Sequence, residues 1–410
     1  MNFYQGLIGT AIVAGLLSCN KHDNIYKGPE SPKLGELTIP AGFDWKTSDD
    51  VKCVVTASQP ARVEVYAQEN CIASSRLASL YVNQGAEPMR LVVARGINQV
   101  YMRYMDADSQ FRVMPVSINN GQIAFALPEG SQNFASGLRS KSSEPSDELS
   151  KLEVEGTLLF EDSYPEKGDY DFNDYVMTYD FEIELKHKKV QSIEGEIKFV
   201  AKGGKFPYEP YLSLRGIKEQ HDKNDFIIKS EDGVGIDSDF AHIGNDQDLI
   251  LKFTGVPEAM ARMKREGSQY INTTKGATDD DFVEIEFKLQ LNGNDLNKYD
   301  GGDIYDFFLG RDLNGKFVEI HGKEFSSTRL ATDKVEEGGY CTADNFVWVL
   351  KINEDLYDDD NGDYEVFPYL NEEVDFLKGY PRFKDFIQSN VNDWYKKQYR
   401  DDEHLIFFED

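Results

Sequence analysis

The stretch "YVMTYDFEIEL", residues 175–185, alternates with a period of two. Tyr175, Met177, Tyr179, Phe181, Ile183 and Leu185 are apolar, while Thr178, Asp180, Glu182 and Glu184 are polar. Successive side chains of a strand point to opposite faces, so this run fits a β-strand with one dry face and one wet face. "IEGEIKFV" repeats the pattern with Ile193, Ile197 and Phe199, and "FVEIEFKLQL" with Val283, Ile285, Phe287, Leu289 and Leu291. Such strands predict antiparallel sheet covering a core on one side. Their charged outer faces discourage edge-to-edge pairing.

The upstream part carries shorter strands. "ARVEVY", "MRLVVA", "QVYMRYM", "FRVMPVSI" and "QIAFAL" recur between residues 61 and 127, punctuated by Gly85, Gly96 and "NNG". Short strands at this spacing predict a β-sandwich over 39–130. "SQNFASGLRSKSSEPSDELSK" (131–151) is rich in Ser, Gly and charge and reads as a linker. The second unit is then 152–410, β-rich, with short helices near its end. There "EEVDFLKGYPRFKDFIQSNVNDWY" shifts to a helical period, Pro381 opening a helix that turns Phe383, Phe386 and Ile387 inward. The expected fold class is therefore mainly β, as two β-sandwich-like domains, the second with appended C-terminal helices. A length of 410 residues suits two or three domains.

The amino terminus reads as a secretion signal. "MNFYQGLIGTAIVAGLLS" has no charged side chain, and its apolar core from Leu7 to Leu17 is shorter than the roughly 20 residues of a membrane span. Leu16-Leu17-Ser18-Cys19 resembles the lipobox of bacterial lipoproteins, which implies residues 1–18 as signal peptide and lipid on Cys19. More than one acyl chain, at about 0.8 kcal/mol per buried methylene, makes such an anchor stable. Residues 19–38 then form a polar spacer. For Cys53 and Cys71 two readings stand: a disulfide worth about 3 kcal/mol of chain entropy in an oxidising compartment, or two small buried apolar residues.

The most concentrated charge lies just before residue 175. In "FEDSYPEKGDYDFNDY", the acids Glu161, Asp162, Glu166, Asp169, Asp171 and Asp174 face the single base Lys167. Two carboxylates about 5 Å apart repel by about 3 kcal/mol at an effective dielectric near 20. Exposure, protonation or a bound cation relieves this. Calcium takes six to eight oxygens, and an Asp/Asn-rich turn offers them. Asp169, Asp171, Asn173 and Asp174, with Asp162, are the candidate ligands, and Tyr170 and Phe172 should point oppositely into the core. The loop is not an EF-hand, lacking the glycine at position 6 and the glutamate at position 12. The competing reading is a solvated turn whose acids bind nothing. A second acidic run, "DLYDDDNGDYE" (355–365), and "TDDDF" (278–282) read as solvated loops.

"FEDSYPEKGDYDFNDYVMTYDFEIEL", "PYEPYLSLRGI" (207–217), "DFFLGRDLNGKFVEIHG" (306–322), "YCTADNFVWVLKI" and "YPRFKDFIQSN" with "DWY" together resemble the LruC-type domain of Bacteroidetes envelope lipoproteins. The resemblance implies a LruC-type domain over 152–410 and an outer-membrane lipoprotein, periplasm-facing or cell-surface exposed. It implies no reaction, since that family has no settled activity.

The net charge of −29 repels nucleic acid. The six histidines make no HExxH pair, and there is no GxSxG or P-loop. Glu319 and His321 read as a hydrogen-bonded structural pair. The expected function is binding or adhesion toward a surface glycan or protein, with a structural calcium ion, rather than catalysis. The alternatives are a surface glycan hydrolase using paired carboxylates and a fimbria-like subunit completed by strand exchange.

Overall fold

The computed structural model describes residues 32–135, 148–218, 226–230, 233–237, 248–264, 268–277, 282–291, 304–357 and 364–408. The signal segment, Cys19, the spacer up to residue 31, the middle of the linker (136–147) and the acidic segments 278–281 and 358–363 lie outside the described residues.

The upstream strands are β1 (Ser48–Ala57), β2 (Ala61–Tyr66), β3 (Arg76–Val82), β4 (Gly85–Ala94), β5 (Gln99–Met105), β6 (Phe111–Ser117) and β7 (Gln122–Ala126). Then come β8 (Ser150–Phe160), β9 (Tyr175–Lys186), β10 (Lys189–Ala201), β11 (Glu209–Lys218), β12 (Phe226–Ser230), β13 (Gly235–Asp237) and β14 (Asp248–Thr254). The last are β15 (Val283–Gln290), β16 (Tyr305–Leu313), β17 (Lys316–Ile320), β18 (Val349–Asn353), β19 (Tyr369–Leu370) and β20 (Leu405–Ile406). Among the described residues helix is confined to short pieces: α1 (Val256–Met260), α2 (Phe376–Gly379), α3 (Phe383–Ser389) and single 3-10 turns. The fold is mainly β, as expected, with the C-terminal helices where the period change put them.

One sheet of ten strands runs in the order β12-β15-β10-β9-β8-β3-β2-β5-β6, with β18 also on β8. Strand β8 makes the junction. Along one edge it pairs with β9 over its full length, from Ser150↔Leu185 to Phe160↔Tyr175. Its other edge is divided between β3, through Ala78↔Leu152, and β18, through Val349↔Phe160. Arg76 adds a two-pronged ion pair to Glu153 beside the β3 contact. The two sandwich-like halves thus share one continuous sheet, and strands from either side of 131–151 are hydrogen-bonded in it.

Two smaller sheets cover this long one. The three-stranded sheet β4-β1-β7 packs over the upstream end, where Tyr104 of β5 meets Phe125 of β7 at 5.9 Å. The five-stranded sheet β13-β14-β11-β16-β17 covers β9 and β10. Phe181 sits there among Phe287, Tyr305 and Phe307, at ring separations of 5.7, 6.0 and 5.7 Å. The apolar register read in "YVMTYDFEIEL" is the register that faces this core, since Tyr175, Met177, Tyr179, Phe181, Ile183 and Leu185 are all buried. Strand β2 is buried on both faces.

A second core lies at the opposite face, near the end of β8. Leu159 and Val176 join the rings of Phe367, Phe376, Tyr380, Phe383 and Phe386 around the fully buried Trp394. Leu34, Ile39, Phe43 and Trp45, from the start of the described chain, belong to this same cluster. Asp375 caps α2 by accepting from Leu377 N at 3.0 Å.

Cys53, Cys71 and Cys341 are free; Cys53 is buried in β1 within the large core, and Cys71 sits half-exposed in a turn. Of the two readings, the free thiol of Cys53 in the core fits the small apolar one. His321 is fully buried, with Nδ1 at 2.9 Å from both oxygens of Asp306 and Nε2 at 2.9 Å from Glu319 Oε2. Burial pushes its pKa down, but the two carboxylates outweigh that and hold it above the ordinary value. Glu319 also accepts from Thr328 N and Asp306 from Arg215, so the network is closed and structural.

Phe181→Ala, which empties the contact between the two sheets, is expected to lower stability by about 3–5 kcal/mol. Chemical denaturation checks this, and a loss under about 1 kcal/mol would mean the sheets do not depend on that ring.

Candidate metal centre

The turn from β8 to β9, residues 161–174, is built around buried charge. Glu161 directly follows β8 and is fully buried. Its backbone N–H donates to Trp348 O at 2.8 Å, and its Oε1 accepts from Phe172 N at 2.7 Å. Its other oxygen, Oε2, has no hydrogen-bond partner. A Cβ on Gly168 would overlap that oxygen, so glycine is needed there for the carboxylate to lie against the backbone.

Tyr170 and Phe172 point into the second core, as expected, but not by strand alternation. Both have left-handed backbones, with φ of 59° and 53°. For residues with a Cβ this costs roughly 1–2 kcal/mol each. Ring contacts hold them: Tyr170 with Phe346 at 5.0 Å and Phe172 with Phe376 at 5.6 Å. Between them the chain turns Asp169, Asp171 and Asn173 the other way. One carboxylate oxygen each from Glu161, Asp169 and Asp171 lie within 4.8 Å of one another. That spacing suits ligands about 2.4 Å from a shared ion.

The remaining expected ligands sit around this group. Asp174 Oδ2 accepts from Asp162 N at 2.8 Å, and Asp162 Oδ2 accepts from Phe206 N at 2.9 Å. Those two carboxylates fall outside the group of three. Asn173 is fully buried; its Nδ2 donates to Leu370 O, while its Oδ1 has no partner. A Cβ on Gly203 would lie 2.5 Å from Asn173 Oδ1 and 2.6 Å from Glu372 Oε2, so these two oxygens converge over one glycine.

Two members were missing from the sequence-based ligand set. Glu161 was counted among the acids but not as a ligand. Glu372 comes from a segment about 200 residues further along and was not considered at all. It is held by Thr273, whose hydroxyl donates to Glu372 Oε2 at 2.8 Å. The neighbouring Glu373 N donates to Asp171 Oδ2 at 2.8 Å, drawing the 371–376 segment onto the loop.

Among the described residues no ion pair reaches Glu161, Asp169 or Asp171, although Lys205 pulls on Glu372. Lys167 turns away to an ion pair with Asp344 and lies 4.5 Å over the Phe346 ring. Burial first, then Asp174, Asp171 and Asp169, push Glu161 well above the usual carboxylate range. Asp171 and Asp174 are each pushed up to about 8 by burial and by neighbouring acids. Glu372 is pushed up to about 7 by burial and Asp169, with Thr273 and Lys205 pulling the other way. The centre therefore offers acceptors only, two of them fully buried and unpartnered, in a field that calls for positive charge.

The family model "Domain of unknown function (DUF4842)" matches residues 188–395. This chain belongs to the DUF4842 family. The DUF4842 match includes Gly203, Glu372 and the C-terminal aromatic core, and begins after the 161–174 loop. A crystal structure of a candidate lipoprotein from Bacteroides ovatus shares the fold, with a TM-score of 0.59 at 16% identity, covering 84% of this chain and 99% of that one. No curated protein matches.

The raised values of Asp171, Asp174 and Glu372 mean that the folded state holds protons that unfolded carboxylates release near pH 4. Without divalent cations, stability is expected to fall as pH rises from about 4 to about 8. Melting points in chelator at pH 5 and pH 8 check this. An equal or higher midpoint at pH 8 would contradict the crowding described.

Proposed function

We propose that this DUF4842 protein is a lipid-anchored, LruC-type protein of the bacterial outer membrane that binds a surface glycan or protein, with calcium as a structural ion in the 161–174 loop. The observation that carries the calcium reading is Glu161: a fully buried carboxylate with one oxygen unpartnered, gathered with Asp169 and Asp171. Glu161, Asp169 and Asp171 would supply carboxylate oxygens, and Asn173 and Glu372 further oxygens from the Gly203 side. Calcium suits this set because it is a hard cation that takes six to eight oxygen ligands. Asp162 and Asp174 would hold the loop through the hydrogen bonds to Phe206 N and Asp162 N. The role of the ion is to cancel repulsion and fix the entry into β9; no reaction is assigned to it.

The anchor reading rests on Cys19 following an apolar segment with lipobox spacing. No helix among the described residues is long and apolar enough to cross a membrane.

A glycan hydrolase is the second reading, favoured by one feature. A groove of about 540 Å³ on the outer face of β8, β9 and β10 is lined by Glu153, Glu155, Asp180, Glu182, Glu196 and Glu365. Asp180 stands exposed on that face beside Glu155 and Glu196, which disfavour its ionised form. Polysaccharide turnover that Asp180→Asn abolishes would select this reading over binding.

Demetallated protein titrated with calcium is expected to take up the ion and to melt several degrees higher. Glu161→Gln should weaken uptake at least tenfold while leaving the fold intact by circular dichroism. Wild-type protein with no calorimetric calcium signal would end the calcium reading. Cys19→Ala is expected to move the protein from the membrane fraction to the soluble one in cells. Mass analysis showing an unmodified Cys19 would contradict the anchor.

A further inference from the structure

The chain that leaves toward Cys19 is held by the same segment that closes the acidic loop. Lys33 to Leu37 form a single 3-10 turn over Leu34–Glu36, with Leu34 fully buried. Leu34 N donates to both oxygens of Asp375, at 3.1 and 2.9 Å. Gly35 lies flat on the Tyr170 ring, where an added Cβ would come within 3.0 Å of the ring edge. Both holding residues are set by the loop. Phe376 N donates to Tyr170 O at 2.9 Å, and Glu373 N donates to Asp171 Oδ2, so residues 373–376, with Asp375 among them, are positioned by Tyr170 and Asp171. Tyr170 itself stands in a left-handed backbone conformation between Asp169 and Asp171.

We propose that a divalent cation in the 161–174 loop clamps the Lys33–Leu37 turn to the domain, and that losing the ion releases it. This rests on the calcium reading above. Without an ion, repulsion among Glu161, Asp169 and Asp171 is relieved by moving Asp171 outward, which withdraws the acceptor of Glu373 N and loosens Tyr170 from its strained backbone. Asp375 and the Tyr170 ring then no longer present a surface to Leu34 and Gly35. Release stops at Ile39, Phe43 and Trp45, which are buried in the second core, Trp45 with its Nε1 donating to Asn345 O at 2.8 Å. Residues 33–38 would be added to the tether on the Cys19 side. Fully extended, six residues span at most about 20 Å.

Hydrogen exchange of the full chain, read by mass spectrometry with saturating calcium and with chelator, tests this alongside calorimetric calcium titration. The amides of Leu34, Glu36 and Leu37 are expected to exchange at least tenfold faster in chelator, with those of β9 unchanged. Asp375→Ala should expose the same amides even with calcium present, while its calcium uptake stays within about twofold of wild type. Calcium uptake with equal protection of Leu34–Leu37 in both conditions would overturn the clamp and leave the ion site standing. No calcium uptake at all would overturn both.

Discussion

A fully buried carboxylate, with no base paired to it among the described residues, is the constraint on which the downstream half of this protein turns. Glu161 is placed there because β8 needs its backbone to continue the pairing with Trp348, and Phe172 N needs its side chain. Removing a charge from water costs several kcal/mol unless it is matched. Its charged neighbours Asp174, Asp171 and Asp169 all oppose it, and the Phe172 N–H alone pulls the other way. The local backbone is strained at Tyr170 and Phe172 to keep both rings in the core while the oxygens gather on the other side. Strain and repulsion at one turn are sustained by the aromatic packing behind it.

Much of the architecture was legible in the sequence, for a physical reason. Where one face of a strand is wet, alternation survives in the residue order, and β5 and β9 were readable almost to the residue. Strand β8 was partly hidden, because "SKLEVEGTLLF" begins inside a polar, Ser-rich stretch and ends buried on both sides. The sharing of one sheet across 131–151 left no trace, since the Ala78↔Leu152 pairing depends on contacts between distant segments. Periodicity records which face is dry, not which strand lies alongside.

The site shows the same division. The local concentration of acids was plain, and so was the inward placement of Tyr170 and Phe172. Glu161 was visible as an acid but not as a buried one, because only the pairing of β8 with the Trp348 segment encloses it. Glu372 could not be joined to the loop from composition. The one available signal was that "NEEVD" places three acids ahead of a helix whose first residue is apolar, which suggests a buried neighbourhood. For the cysteines the sequence left two readings open, because spacing alone does not say whether Cys53 and Cys71 meet.

The second core joins the two ends of the described chain. Leu34, Ile39, Phe43 and Trp45 pack among Phe383, Phe386 and Trp394, with Phe43 5.2 Å from Phe386 and Trp45 6.0 Å from Phe383. A pull on the described chain at Lys33 would therefore be borne first by the carboxy-terminal helices rather than by the upstream strands. A pulling force would have to peel those rings apart before it reached the first strand, which makes this aromatic cluster the fuse of the molecule.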